Sequence, residues 1–161
     1  MDLQTQLTEV DILIIGAGPA GLVCANALAK AGIHVKIIDH KQKRTAGHAD
    51  AIMPRTIEIM HSYGLGADVL SQACPAHTIA FYSSRADGSG IENTNHAPAL
   101  SETDSQWRYS LTLHQGAIEE LFIQSMAKEG LTVNRSVHPI SIQVSNDPSV
   151  LSDRNARPVI R

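Results

Sequence analysis

Cysteine, aromatic residues and long apolar runs are all scarce in this chain of 161 residues. Its two cysteines, Cys24 and Cys74, cannot form a disulfide framework, and neither belongs to a C-x-x-C pair. Cys24 lies in an alanine-rich segment, where we expect a small buried thiol. No apolar run approaches the length of a bilayer span, and residues 1–9 lack the features of a signal peptide. We therefore expect a cytoplasmic protein without a membrane partner.

Charge is also sparse and nearly balanced. Charged residues make up 18% of the chain and the net charge is −3, so no basic surplus indicates a nucleic-acid partner. The eight histidines form no H-x-x-x-H pair and match no zinc spacing, so no metal site is predicted. The length favours one domain over residues 1–161, with residues 1–9 as an N-terminal tail.

The most informative stretch is VDILIIGAGPAG, residues 10–21. Its apolar start predicts a parallel strand covered on both faces. Gly16, Gly18 and Gly21 then follow the pattern G-x-G-x-x-G. In such a turn the first glycine allows a sharp bend, the second lets a phosphate approach the backbone, and the third allows close packing of helix on strand.

A helix and a second strand complete this frame. The helix is predicted over Pro19–Ala31, and its N-terminus favours a pyrophosphate because the free N–H groups and the positive dipole end lie there. The strand from His34 ends at Asp39, eighteen positions beyond Gly21, which suits a carboxylate that accepts hydrogen bonds from a ribose diol. The frame disfavours a 2′-phosphate cofactor but does not separate NAD from FAD.

The rest of the chain predicts further α/β units with an insertion. Residues 77–113 form a β excursion, with strands over Thr78–Tyr82, Ile91–Asn95 and Arg108–Leu113. A helix over Gly116–Lys128 follows, and a strand over Leu131–Asn134 then returns to the sheet. Residues 137–144 alternate as a half-exposed strand. The predicted fold class is α/β and Rossmann-like, with a parallel core sheet, right-handed crossovers and this excursion.

Four segments together resemble the FAD-dependent aromatic hydroxylases of the p-hydroxybenzoate hydroxylase type, and in particular the phenol 2-monooxygenase branch. They are DILIIGAGPAGLVCANALAKAG, GHADAIMPRTIEIMHSYGL, FYSSRADGSGIE and SLTLHQGAIEELF. They run through nearly the whole chain in the family's order. The resemblance implies FAD as the cofactor, NAD(P)H as the reductant and a small aromatic, phenolic substrate.

The resemblance also implies a set of cofactor-binding residues. Gly16, Gly18 and Gly21 match the family's pyrophosphate turn, and Asp39 matches an acid that holds the adenosine ribose. Arg44 falls near an arginine that contacts the ADP half. Gln115 matches a glutamine that reaches the ribityl and phosphate region.

One catalytic residue is implied in the same way. Asp50 matches an aspartate beside the flavin ring and the phenol, where it helps to activate the substrate. Arg55 matches the arginine of an R-T-x-E helix, which we interpret as structural. The family usually has glycine after the aspartate, whereas this chain has Ala51, so the backbone there is more crowded.

The chain is expected to be truncated relative to the family, because a later Asp-Gly motif and a Gly-Asp-Ala motif are absent from its sequence. The favoured interpretation is the FAD-binding domain of a phenol-type monooxygenase, inactive or weak alone. Two alternatives stay open at this point. One is a non-redox enzyme or ligand-binding protein that reuses the fold. The other is an interaction module completed by a second chain, such as a homodimer.

Overall fold

The computed structural model describes residues 9–42, 47, 50–100, 103–153, 155–156 and 159–160. The elements are, in chain order, β1 (Ile12–Ile15), α1 (Pro19–Lys30), β2 (Val35–Asp39), β3 (Ala51–Ile52), α2 (Pro54–Ser62), α3 (Gly66–Gln72), β4 (Cys74–Ala76), β5 (Thr78–Ser84), β6 (Ile91–Pro98), β7 (Ser110–Thr112), α4 (Gln115–Lys128), β8 (Val133–Arg135), β9 (Ile142–Gln143), α5 (Pro148–Ser152) and β10 (Val159–Ile160). No helix in the described part of the chain is long and apolar enough to cross a membrane.

The chain divides into two compact units. One comprises residues 1–43 with 126–161, and the other comprises residues 44–125. A single domain over residues 1–161 stays a prediction.

A parallel sheet forms the centre of the first unit, as predicted. Its strand order is β1-β2-β8, and Ile12 lies opposite Val35 while Ile37 lies opposite Val133. The central strand β2 is the best buried of the three, and helix α1 buries Leu22 and Ala25. Val35, Ile37 and Ile38 of β2, together with Leu22 and Ala25 of α1, thus provide buried core side chains of this unit.

Two expectations about this unit are wrong. Strand β1 is not covered on both faces, because none of its four side chains is fully buried and Ile15 is 50% exposed. Cys24 is exposed rather than buried. The buried positions of α1 are 22, 25 and 26, and a residue two positions after Leu22 lies on the opposite side of a helix with 3.6 residues per turn.

The second unit carries the predicted β excursion. Strands β5 and β6 form an antiparallel hairpin with an irregularity between Phe81 and Tyr82, and the side chains of β5 are exposed throughout. Strand β7 pairs with both β3 and β4 in an antiparallel sheet. Leu111 and Leu113 are buried, as their alternate spacing predicts.

The strand predicted over residues 137–144 is largely absent. Only Ile142–Gln143 is extended and paired, with Val159–Ile160 as its antiparallel partner. Pro139 has no N–H to donate to a sheet, and Ile140 is 83% exposed. The apolar alternation therefore has no packed face to stabilise a longer strand among the described residues.

Candidate functional site

The glycine turn joins β1 to α1 within the first unit. Gly16 has a φ of +105°, which strains any residue with a Cβ. A Cβ on Gly21 would overlap the carbonyl oxygen of Gly16, so this position requires close backbone approach. The N–H of Gly16 donates to the carbonyl of Ile38 over 2.8 Å, which ties the turn to β2. Sequence and backbone together thus produce a tight strand–turn–helix.

The start of α1 has the features of an anion site. Gly18 is the N-cap residue, and no side chain caps its helix among the described residues. Pro19 occupies the first turn, where its missing N–H costs nothing. The donors at this helix N-terminus are therefore backbone N–H groups, which favour a negatively charged ligand.

Asp39 ends β2 and lies beside this turn. It is buried, and its Oδ2 accepts the backbone N–H of Ala17 over 2.7 Å while its Oδ1 accepts that of Lys41 over 2.8 Å. Each carboxylate oxygen has two lone pairs, so both oxygens keep capacity for a further donor such as a ribose hydroxyl. The side chain thus fixes the turn and still offers acceptors.

Two basic side chains lie beside the same carboxylate. The Nη1 of Arg135 lies 3.7 Å from Oδ2, and the Nδ1 of His40 lies 3.6 Å from Oδ1. Burial opposes ionisation of Asp39, but the two backbone N–H donors and these neighbouring charges outweigh it and hold the pKa below its ordinary value of 3.8. Asp39 is therefore ionised at neutral pH.

Sequence reasoning did not identify Arg135. It ends β8, where the parallel register places it opposite Asp39. The available signal was the parallel pairing itself, because the carboxyl ends of neighbouring parallel strands meet at one edge of a sheet. The predicted strand at this point ended at Asn134, one residue too early to include it.

Asp50 lies in the second unit, directly before β3. Its side chain is exposed, and its carbonyl accepts the N–H of Leu113 over 2.7 Å. Ala51 then pairs with Thr112 of β7. The backbone at Asp50 is therefore held by sheet hydrogen bonds, while its carboxylate faces solvent.

Gln115 begins α4 in the same unit and is buried. Its Nε2 donates to the Oε1 of Glu119 over 2.8 Å, and Glu119 is also buried. Gly47 packs so closely that a Cβ there would overlap the Cβ of Gln115. Gln115 and Glu119 thus form a buried polar pair, and Gly47 packs against Gln115.

Arg55 lies in the first turn of α2, and its side chain is exposed. Its Nη1 donates to Glu58 over 2.7 Å, and Glu58 also accepts from the hydroxyl of Ser105. Arg44 lies outside the described residues. Among the described residues, no three His, Cys, Asp or Glu side chains meet in a group that could hold a metal ion.

The predicted site residues thus fall into two groups. The three glycines of the turn and Asp39 lie together in the first unit, at the carboxyl ends of its parallel strands. Asp50 and Gln115 lie in the second unit.

A family model described as FAD binding domain matches residues 9–150. The phenol 2-monooxygenase fsqG of Aspergillus fumigatus is 29% identical over 153 residues, which are 94% of this chain and 24% of that protein. The chain spans 20–25% of the length of the first four curated relatives it matches.

Solved structures show the same fold. The p-nitrophenol 4-monooxygenase PnpA of Pseudomonas putida matches with a TM-score of 0.72 at 23% identity, over 84% of this chain and 34% of that one. The flavin-dependent monooxygenase PieE, solved with FAD and substrate, matches with a TM-score of 0.72 at 22% identity, over 84% of this chain and 25% of that one. These matches confirm the predicted α/β flavoprotein fold.

Proposed function

The chain belongs to the FAD binding domain family, and on that premise we propose that its glycine turn and Asp39 hold the ADP half of FAD within a phenol-type aromatic monooxygenase. The observation that carries the proposal is the turn itself. Gly16 bends the backbone, Gly21 admits the helix, and the N-terminus of α1 offers N–H groups beside them. The donor set is chemically suited to a pyrophosphate.

The adenosine ribose is assigned to Asp39. Its carboxylate is ionised, is oriented by two backbone N–H donors and retains acceptor capacity for a diol. The Nη1 of Arg135, 3.7 Å from the Oδ2 of Asp39, would add a donor for ribose or phosphate oxygens. Arg44 is proposed from the family resemblance to contact the same half of the cofactor.

Bound FAD supplies the redox chemistry, with NAD(P)H proposed as its reductant. The chain's own contribution to substrate activation is assigned to Asp50. Its carboxylate is exposed on a backbone fixed by β3 and β7, so it can accept the hydroxyl proton of a phenol without first breaking a packed contact. A more anionic phenol is more nucleophilic at the ring. Aromatic substrates of the phenol 2-monooxygenase relative support this substrate class.

Flavin uptake by the purified chain tests the cofactor assignment. The measurement is quenching of FAD fluorescence together with visible bands that stay with the protein after excess flavin is removed. Gly18→Val should abolish uptake, because a side chain at this position keeps the phosphate from the backbone. Ala31→Val adds bulk at the exposed opposite end of α1 and should leave uptake unchanged.

Three outcomes contradict the assignment. Gly18→Val could bind FAD as the unsubstituted chain does, Ala31→Val could lose FAD equally, or the unsubstituted chain could fail to bind it. The last result would favour a non-redox or interaction role for the fold.

A further inference from the structure

The hairpin of β5 and β6 is open to solvent on both faces. Every side chain of β5 is exposed, including three large ones: Ile79 at 46%, Phe81 at 47% and Tyr82 at 60%. Strand β6 is exposed at all but one position. A two-stranded hairpin is only marginally stable in water, whereas three or more strands that share an apolar face are stable. The hairpin would therefore gain stability from a further strand.

The two edges of the hairpin differ in how they are protected against further pairing. Strand β6 carries a charge at Glu92, a proline at Pro98 and an irregularity at Thr94, which the register with β5 skips. Charges, prolines and bulges are features with which natural proteins protect an edge strand. Strand β5 has none of them, and within the described part of the chain it pairs with β6 alone. The β5 edge is thus open to a second strand.

Backbone hydrogen bonds beyond both ends of β5 indicate which of its residues face the open edge. The carbonyl of His77 accepts the N–H of Ala99 over 2.8 Å, and the N–H of Arg85 donates to the carbonyl of Gly90 over 2.9 Å. Residues 77 and 85 therefore bond toward β6, and this direction alternates along a strand of an antiparallel pair. The backbone groups that face the open edge are those of Thr78, Ala80, Tyr82 and Ser84.

A second copy of β5 fits this edge when it lies antiparallel, with the two-fold axis at Phe81. Thr78 then lies opposite Ser84 of the second copy, and Ala80 lies opposite its Tyr82, so all four edge-facing residues meet in hydrogen-bonded pairs. Thr–Ser pairs hydrogen-bond across strands, and the small Ala80 leaves room for a ring. A register centred on Ala80 or Tyr82 leaves one of the four without a β5 partner.

Phe81 lies at the centre of this register, in a pair of the type that brings opposite side chains closest together. Facing aromatic rings are a favourable cross-strand pair, and Ile79 reaches the partner's ring diagonally. Because β5 contains no charged residue, the two-fold pairing brings no like charges opposite each other. The composition of β5 therefore suits an identical strand.

We propose that β5 is a homodimerisation edge, which pairs antiparallel with β5 of a second copy about a two-fold axis at Phe81. The product is a four-stranded sheet in the order β6-β5-β5-β6. In this mode of recognition the main-chain hydrogen bonds provide affinity, and alternate side chains provide specificity. A single pair of strands buries a small area, so monomer and dimer should exchange with concentration. This role is separate from the cofactor site assigned to the glycine turn and Asp39.

Sedimentation velocity of the whole chain, from about 1 µM to about 1 mM, measures the association. The unsubstituted chain should pass from monomer to dimer as its concentration rises. Phe81→Lys removes the aromatic pair and places two like charges opposite each other at the axis. It should raise the dissociation constant about 10-fold.

Asn95→Lys is the matched control, because Asn95 is the exposed partner of Phe81 in β6 and gains the same charge. Its two copies would lie three strand spacings apart in the proposed sheet, about 14 Å, which exceeds the screening length at physiological salt. Asn95→Lys should therefore dimerise as the unsubstituted chain does.

Charge reversal tests the register. Phe81→Glu alone should be as weak a dimer as Phe81→Lys, for the same reason. An equimolar mixture of the two variants should form a heterodimer, because opposite charges then meet at the axis. Recovery of association in the mixture also shows that both variants are folded.

Backbone amide exchange supplies a second measurement. In the unsubstituted chain the N–H groups of Thr78, Ala80, Tyr82 and Ser84 should exchange with solvent more slowly at high concentration than at low concentration. In Phe81→Lys this difference should shrink.

Four results overturn the proposal. The unsubstituted chain could stay monomeric throughout the concentration range, Phe81→Lys could dimerise as well as it does, Asn95→Lys could weaken the dimer equally, or the mixture of charge variants could fail to associate. Exchange of the four amides that is independent of concentration in the unsubstituted chain overturns it as well. FAD is absent from both measurements, so their outcome does not depend on the proposed function.

Discussion

The carboxylate of Asp39 accepts the backbone N–H of Ala17 over 2.7 Å, and so joins the end of β2 to the middle of the glycine turn. The two residues are 22 positions apart in the chain. The same side chain accepts the N–H of Lys41 with its other oxygen. Asp39 is therefore part of the structure of the turn as well as a candidate ligand for ribose.

Asp39→Asn should destabilise the chain without any cofactor. An asparagine has one acceptor oxygen, so its NH₂ group must face either the N–H of Ala17 or that of Lys41. The variant loses one hydrogen bond to a charged group, and its NH₂ group faces a backbone N–H, so two donors point at each other. Together these effects should lower the free energy of unfolding by about 2–3 kcal/mol at pH 7. Urea unfolding of both chains measures the difference.

The free energy of unfolding that is lost in Asp39→Asn should be larger at neutral pH than at acidic pH. The pKa of Asp39 in the folded chain lies below its ordinary value of 3.8, so its ionised form stabilises the fold above that pH and the stabilisation is lost as pH falls through the lowered pKa. The difference in free energy of unfolding between the original chain and Asp39→Asn should therefore be largest near neutral pH and decrease below about pH 3.8.

Asp87→Asn is the control for this experiment. Asp87 also accepts a backbone N–H, from Ser89 over 2.9 Å, but it lies in an exposed turn where water replaces the lost bond. Asp87→Asn should therefore lower the free energy of unfolding much less than Asp39→Asn does. Equal losses for the two variants would show that the contact between Asp39 and Ala17 has no special part in the fold.

The glycine turn predicts a second stability difference. Gly21→Ala places a Cβ against the carbonyl oxygen of Gly16, which is backbone and cannot move without shifting the turn. The free energy of unfolding should fall by about 1–3 kcal/mol, the range for overpacked sites. FAD binding should weaken as well, because the shifted turn also carries the N–H groups assigned to the pyrophosphate.

Gly116→Ala is the matched substitution on α4. A Cβ there meets only the exposed ring of His114, at 3.2 Å from the Nδ1 that accepts the N–H of Gly116, and a shift of this ring by a few tenths of an ångström relieves the contact. Alanine also favours the helix relative to glycine. We expect little change in stability or flavin binding, and a loss as large as that of Gly21→Ala would refute the argument from close backbone approach.

The sequence predicted the first unit most accurately where local chemistry decides the structure. The helix expected over Pro19–Ala31 extends over Pro19–Lys30, because the glycine turn defines its start and Gly32 follows its end. The strand expected over residues 137–144 is wrong for the opposite reason. Its alternation is local, but a strand needs a partner and a packed face, and the described part of the chain supplies neither beyond Ile142–Gln143.

The candidate site shows the same division between local and long-range information. Spacing alone assigned Gly16, Gly18, Gly21 and Asp39 to one region, and the first unit brings them together. The contact of Asp39 with Arg135 joins residues from two strands that are far apart in the chain, so sequence spacing does not predict it. The bond between Gln115 and Glu119 is local, but its burial depends on packing that a four-residue interval does not reveal.

Asp50→Asn should separate catalysis from stability. The carboxylate of Asp50 is exposed, and the part of the residue that the sheet uses is its carbonyl oxygen, which accepts from Leu113 in either variant. We therefore expect an unchanged free energy of unfolding and unchanged FAD binding. Loss of a positioned base should reduce phenol-dependent oxidation of NAD(P)H about 10²- to 10⁴-fold.

Asp68→Asn supplies the control, since Asp68 is an exposed acid in the first turn of α3 within the same unit. Its NAD(P)H oxidation with phenol should equal that of the original chain. Unchanged oxidation in Asp50→Asn would remove the catalytic assignment while leaving the cofactor assignment intact, because the latter depends on the glycine turn and Asp39. If oxidation fell with both aspartates, the loss would reflect the charge of this unit rather than a base at position 50, since each substitution removes one negative charge.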